Sequence, residues 1–430
     1  MDHTAISGKW TSTDGSEIKV SAVETHTGLS ETEENAVARK NAILYAILQS
    51  INGAAAPVSI ALSGIAGASM LGPDKSLATA PITGFNLGVA LMAVPAAMLM
   101  KNIGRRYGFM TGALIGIFGM LLAVKAIYAQ SFWLFALSLA MVGAANSFTQ
   151  QYRFAAADRG TKKIKAKAIS WVLIGGVAAS VVGPQLILHT KDYLEPIPFA
   201  GAYLWAAGLF GLSLIVMQFL EPGHPPVSEA QRAKGSGRPL MEIILQPRFI
   251  VAVLCGTSSY ALMSYMMTAA PLAMLACGFD VTDSTWGIQW HVLAMFVPSF
   301  FTGNLIQRFG KERIVATGLT ILIACAIVAL NGVTLSHFYV ALILLGIGWN
   351  FGFIGSTAMV TDTYEPHEKN KAQGANDFIL FGTVAAASFL SGWTLNHYGW
   401  DFMNYLVFPV IAVSMIALGW LVLQKPNEAH

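Results

Sequence analysis

Charge is scarce in this sequence. Asp, Glu, Lys and Arg make up 11% of its 430 residues, against about 25% in an ordinary soluble domain. By length alone such a chain would suit about three soluble domains, but it lacks the charge to give them a water-facing surface. Cysteine is scarcer still, with three residues, which excludes a disulfide framework. The net charge of +3 is small and spread over loops, so no nucleic acid is expected as a partner. There is no HExxH, no Walker loop and no nucleophile with a base at helical spacing, so no enzyme is expected. Residues 1–40 are polar, rich in Ser, Thr and Glu, and lack the apolar stretch of a secretory signal. They are expected to form a mobile cytoplasmic tail.

What the sequence has instead is apolar length. Hydrophobic residues make up 55%, and the mean hydropathy is +0.57. Runs of about 20 apolar residues can cross a bilayer core as helices. Twelve are found, near 42–71, 78–100, 107–129, 132–155, 168–189, 199–220, 248–275, 285–307, 313–333, 337–362, 371–396 and 402–423. The longest polar interruption, "EPGHPPVSEAQRAKGSGRP" at 221–239, falls between the sixth and seventh. The expected organisation is a tail over 1–40, a six-helix bundle over 41–220, a cytoplasmic linker over 221–247 and a second six-helix bundle over 248–424. Lys101, Arg105 and Arg106, the cluster from Arg159 to Lys167, the linker residues Arg232, Lys234 and Arg238, and Arg308, Lys311 and Arg313 all fall on one side of such a topology. That side is expected to be cytoplasmic, with both termini, in a bacterial inner membrane.

The two halves repeat. "AMLMKNIGRR" at 97–106 matches "GNLIQRFGKE" at 303–312, with Gly104 and Gly310 lying 206 residues apart. Internal repeats of this layout are typical of secondary transporters. These loops resemble the G-x-L-x-D-R-x-G-R-R motif of the major facilitator superfamily, and "GGVAASVVGPQL" at 175–186 resembles its Gly-Pro motif. The resemblance covers nearly all of 42–423. It implies an all-α membrane protein, with twelve transmembrane helices in two bundles around a central cavity. The sequence departs from the motif at its acidic position, which is Lys101 in one half and Gln307 in the other.

Ionisable residues inside membrane helices are functional candidates. His291 lies in "WGIQWHVLAMF", four residues before Met295, and the preceding span carries Met263 and Met267, also four apart. Residues four apart share a helix face, and the two pairs are expected at similar depth. Thioether and imidazole suit Cu(I), whereas zinc and calcium favour other donors. Methionine is also common core filler, so each pair alone is weak. The order Met263, Met267, His291, Met295, with Cys255 and Cys277 near the ends of the seventh span, resembles the CcoA-like copper importers of the superfamily. That resemblance implies copper as the transported substrate, cytoplasmic copper acceptors, supply of cbb3-type cytochrome c oxidase assembly, and no permanently bound cofactor. Cys277, the Met/His layer and Cys255 are expected in that order across the membrane, as a relay. Arg153 and Asp377 are expected as gating charges, with Asn350 and Asn376 as polar bridges or cavity residues. His189 is expected at the membrane interface, and the opening Met-Asp-His is a chance Cu(II) chelate. The alternative is riboflavin or another small organic solute, held in the same cavity by Trp286, Trp290, Tyr260 and Asn350.

Overall fold

The computed structural model describes residues 31–221, 238–365 and 368–424. The tail up to residue 30, most of the linker and the Met-Asp-His start lie outside them. Among the described residues the regular structure is helical. In a hydrocarbon core a backbone must pair its own N–H and C=O groups, and a continuous apolar helix does so. The first half comprises α1 (Glu31–Asn52), α2 (Ala55–Ser69), α3 (Ala80–Ile103), α4 (Arg105–Tyr128), α5 (Phe132–Thr149), α6 (Tyr152–Ala156), α7 (Lys162–Thr190) and α8 (Ala200–Met217). The second comprises α9 (Leu240–Ile244), α10 (Pro247–Ala276), α11 (Val281–Phe296), α12 (Ser299–Phe309), α13 (Lys311–Leu330), α14 (Leu335–Val360), α15 (Lys369–Tyr405) and α16 (Val407–Leu423).

Among the described residues, ten helical segments are long and apolar enough to cross a membrane. The expected eighth and twelfth spans are not among them, because each is made of shorter pieces. The eighth is α11 followed by α12, interrupted where Pro298 cannot donate a backbone hydrogen bond. The twelfth is α16 with the end of α15, which turns at Gly399 (φ 80°, ψ −179°), a conformation open to glycine. The first span is likewise broken, between Asn52 and Ala55. With these pieces joined, the twelve-span order stands, and the chain is a multi-pass membrane protein.

The repeat seen in the sequence is a repeat of backbone. Gly104 and Gly310 end α3 and α12 with φ 86° in both and ψ 159° and 157°. Each turns the chain sharply into the next helix at the face carrying the basic loops, called here the basic face. Although the motif's acidic position is lost, the charge contacts there are made by other residues. Arg105 Nε donates to Asp158 at 2.9 Å. In the second half Arg248 pairs with Asp362 at 2.6 Å and Glu312 at 3.0 Å, and Lys311 also reaches Asp362. The clusters tie helix ends together within each half.

Close helix crossings are made by small residues, as expected where the bilayer supplies no hydrophobic drive between helices. A Cβ at Gly143 of α5 would overlap the Phe85 carbonyl oxygen of α3, and one at Gly88 would overlap that of Ala140. The site therefore rests on helices whose spacing is fixed by backbone contact.

Candidate functional site: the central cavity

The cavity lies between the halves. Its walls come from α1, α2, α3, α5, α6 and α7 on one side and from α10, α11 and α15 on the other. Toward the far face it is closed by contacts between the halves. Asn86 Nδ2 donates to Ser388 Oγ at 2.7 Å, and that hydroxyl also pairs with Ser264 at 2.7 Å. Beyond this knot the Gly392 N–H donates to Thr79 Oγ1 at 3.1 Å, Gln185 donates to Gln289 at 2.9 Å and Asn396 donates to Asp74 at 3.3 Å. In the other direction the cavity runs past Gln49, Asn146 and Gln150 to Arg153 near the basic face. Arg153 is exposed there, with its guanidinium 4.7 Å from the Phe154 ring centroid. The cavity is thus sealed on the far side and extends toward the basic side.

It offers about 210 Å³ to the centres of water-sized molecules, far above the roughly 10–15 Å³ that a single water requires. A bare metal ion needs a fraction of that space. The lining is mainly apolar, with amides and hydroxyls from Gln49, Asn86, Asn146, Gln150, Ser180, Tyr260 and Ser264. Arg153 is its charged member, and among the described residues no carboxylate lines it.

The four expected copper ligands divide. Met263, Met267 and Met295 line the cavity. His291 does not, and its side chain has no exposed surface. Its Nδ1 lies 2.8 Å from the Leu342 carbonyl of α14. A carbonyl can only accept, so Nδ1 carries the proton and the imidazole bonds a neighbouring helix. Part of the difference from the sequence reading is register. Asp280 and Asp283 form a reciprocal cap at the start of α11, with the Asp283 N–H donating to Asp280 at 2.8 Å. The helix therefore begins at Val281, and His291 is roughly 15 Å along it at 1.5 Å per residue, deeper than the 9 Å implied by a start at 285.

Neither cysteine of the expected relay lines the cavity. Cys255 is buried in α10 with Sγ 3.8 Å from the Ser414 carbonyl, and Cys277 is exposed at the opposite end. Asn350 is also elsewhere. It is fully buried in α14, where Nδ2 donates to the Met295 carbonyl and to Ser299 Oγ, both at 2.7 Å, and Oδ1 accepts from Thr302 at 2.6 Å. It thereby satisfies polar groups freed at the Pro298 break, so replacing it leaves a buried carbonyl bare. Asn350→Leu is expected to destabilise the protein by about 2–3 kcal/mol, on the cost of an unsatisfied buried polar group, seen as a lower melting midpoint in detergent.

Asn376 donates to Asp377 at 3.0 Å near the start of α15. Asp377 is close enough to Arg153 across the mouth for the two charges to interact, although neither Asn376 nor Asp377 lines the cavity itself. Of the residues expected to stack a solute, Tyr260 lines the cavity and packs edge-on against Trp349 and Phe353 at 5.3 and 5.1 Å. Trp290 is 45% exposed on the outer surface of the bundle, and Trp286 lies off the cavity as well. Gln49, Asn86 and Ser264 line the cavity too, though they were not expected there; each is a polar side chain within an apolar span, which is the signal that marks them.

The sequence profile of the Major Facilitator Superfamily matches residues 41–288 and 252–430. A riboflavin transporter of Brucella anthropi, RfnT, is 50% identical over 393 residues, covering 91% of this chain and 98% of that protein. An uncharacterised MFS-type transporter of Bacillus subtilis, YddS, is 28% identical over 87% of this chain and 89% of its own. Among solved structures, a bacterial homologue of the lysosomal transporter Spinster, in an inward-facing and unoccupied conformation, superposes with a TM-score of 0.63 at 15% identity. It covers 93% of this chain and all of that one. The nucleoside transporter NupG gives 0.64 at 13% identity, over 90% of this chain and all of its own. At such identities these two speak for the fold alone.

The expectation of a copper importer is corrected by the riboflavin transporter, which matches this chain nearly end to end. Copper acceptors and a role in cytochrome oxidase assembly fall with it, since both were implied by the copper resemblance alone. The imidazole of the expected set faces Leu342 and lies outside the cavity lining. With a profile match over both halves and a half-identical relative over nearly its whole length, the chain belongs to the major facilitator superfamily and is a transporter, not an enzyme.

Proposed function

We propose that this chain carries riboflavin across the membrane, by exposing the central cavity to one face and then the other. The observation that carries the reading is the 50% identity to a riboflavin transporter over 91% of the chain. The cavity suits such a solute in three ways. Its size fits an organic molecule. Its methionine, phenylalanine and tyrosine side chains suit a flat aromatic ring. Its amides and hydroxyls, with the Arg153 guanidinium at the basic end, offer hydrogen bonds to a polyhydroxyl chain and to ring carbonyls. Expression in a riboflavin-requiring bacterium without its own transporter is expected to restore growth on low external riboflavin and to give saturable uptake of labelled riboflavin. Uptake equal to that of cells with an empty vector, with the protein present in the membrane, would refute the assignment.

We propose that the Arg105–Asp158 face is cytoplasmic, a reading supported by the excess of Lys and Arg in the loops there, in an inner membrane with both termini inside. The cavity then extends toward the cytoplasm. Cys277, exposed at the far end of α10, reports on this orientation. A membrane-impermeant thiol reagent is expected to label it from outside spheroplasts. Labelling from the cytoplasmic side only would reverse the topology.

A further inference from the structure

Part of the first half's lining is made of small residues, Gly53, Ala56 and Pro57 at the break between α1 and α2 and Gly176, Ala179 and Ser180 of α7, flanked by bulkier ones such as Ile60, Phe85 and Leu173. Opposite stand long, soft side chains: Met263 and Met267 of α10, and Met295 and Phe296 of α11. At one edge of this patch a Cβ built on Gly176 would lie 3.6 Å from the Phe296 ring, so the two sides meet there. Beside that edge the space between them is a slot bounded by small residues and thioethers.

The internal repeat sharpens the contrast. Counting back 206 residues, the positions of Met263, Met267 and Met295 correspond to Pro57, Ala61 and Val89. One half thus carries thioethers where the other carries compact or rigid side chains. Packing alone gives no reason for the methionines to gather on the cavity side of two different helices. Pro57 and Val89 line the same cavity as Met263 and Met295, so the exchange is of surface chemistry at matched places.

We infer that this slot is the ring-binding subsite: a planar, fused aromatic ring system lies between the small-residue wall and a thioether wall made by Met263, Met267 and Met295. The inference rests on the flavin reading above and adds where the ring sits and what holds it. A patch of small side chains leaves room for one face of a ring to lie close to the helix backbones. Methionine sulfur is polarisable and makes favourable contacts with aromatic rings at about 5 Å, and its unbranched chain adapts to the other face. The amides of Gln49, Asn146 and Gln150 lie toward the basic-face end of the cavity. They receive the hydroxylated chain that leaves the ring. The methionines that suggested a soft metal ion thereby act on a soft, flat organic surface instead.

The test is quenching of riboflavin fluorescence by purified full-length protein, with two competitors that divide the molecule. Lumiflavin has the ring without the hydroxylated chain, and ribitol has a hydroxylated chain without the ring. Lumiflavin is expected to displace riboflavin and ribitol is not. Ala56→Leu, which puts bulk into the slot from the small-residue wall, is expected to weaken riboflavin binding at least about tenfold, on the scale of a mismatched pocket. Met267→Leu keeps volume and removes sulfur; a loss of about 2- to 12-fold follows from the strength of one sulfur–aromatic contact. Should Ala56→Leu fail to yield folded protein, Met267→Leu and the competitors still decide. The slot is overturned if wild type binds riboflavin while lumiflavin fails to compete, or if both variants, folded by elution and melting profile, bind as wild type does. Wild-type protein that binds no riboflavin overturns the functional reading and the subsite together, a result distinct from either.

Discussion

A disulfide between Thr79→Cys and Gly392→Cys is expected to stop transport by at least about tenfold, and reduction is expected to restore it. A Cβ built on Gly392 lies 3.1 Å from the Thr79 Cβ. Disulfides span about 3.5–4.5 Å between Cβ atoms, so a small helix shift suffices. Thr79 opens α3 in the first half and Gly392 lies in α15 of the second, on the sealed far side. Joining them holds that side shut. If alternating exposure of the cavity drives transport, the locked protein is confined to the state seen here. The exposed thiol of Cys277 is removed by Cys277→Ser in the same background, leaving Cys255 and Cys325 buried. Riboflavin uptake with and without reductant is the measurement. Full uptake by protein shown to be cross-linked would mean that the far side need not open.

Gly143→Val is expected to cost at least about 3 kcal/mol, the upper end for overpacking, and in practice to abolish monodisperse protein. The atom that a Cβ there would overlap is the Phe85 carbonyl oxygen, which is backbone and cannot rotate away. Separating α3 from α5 would also move Phe85, Asn86 and Asn146, which line the cavity. Gly211 is the control. A Cβ at that position meets no atom within 4 Å, so Gly211→Val should be far milder. Yield and melting midpoint after detergent extraction compare the two. Equal behaviour would show that the helix crossing is looser than the structure has it.

The spans were legible because the bilayer leaves little choice of backbone. A run of about 20 apolar residues must pair its peptide groups within itself, and 206-residue spacing between Gly104 and Gly310 exposed the duplication before any coordinates. The shared φ of 86° at those glycines is the physical content of that spacing. Helix periodicity also held for Met263 and Met267, four apart and both lining the cavity. It did not distinguish His291 from Met295. Four residues amount to roughly 400° of turn at 3.6 residues per turn, so such a pair shares a broad face, and the rotation of the helix decides which member reaches the cavity. Here that rotation turns His291 toward α14, where Nδ1 bonds the Leu342 carbonyl, a partner that no methionine–histidine pattern reports. The substrate was less legible still. Thioethers suit both a soft ion and a flat ring, and what overturned the ion was a riboflavin transporter 50% identical over 91% of the chain, not a feature of the methionine pattern.

Uptake of riboflavin into liposomes containing only the purified protein addresses the central claim most directly. Saturable uptake above that of empty liposomes is expected, competed by lumiflavin and unaffected by a copper chelator. No riboflavin uptake above the empty-liposome rate, from protein that is folded and inserted, would contradict it.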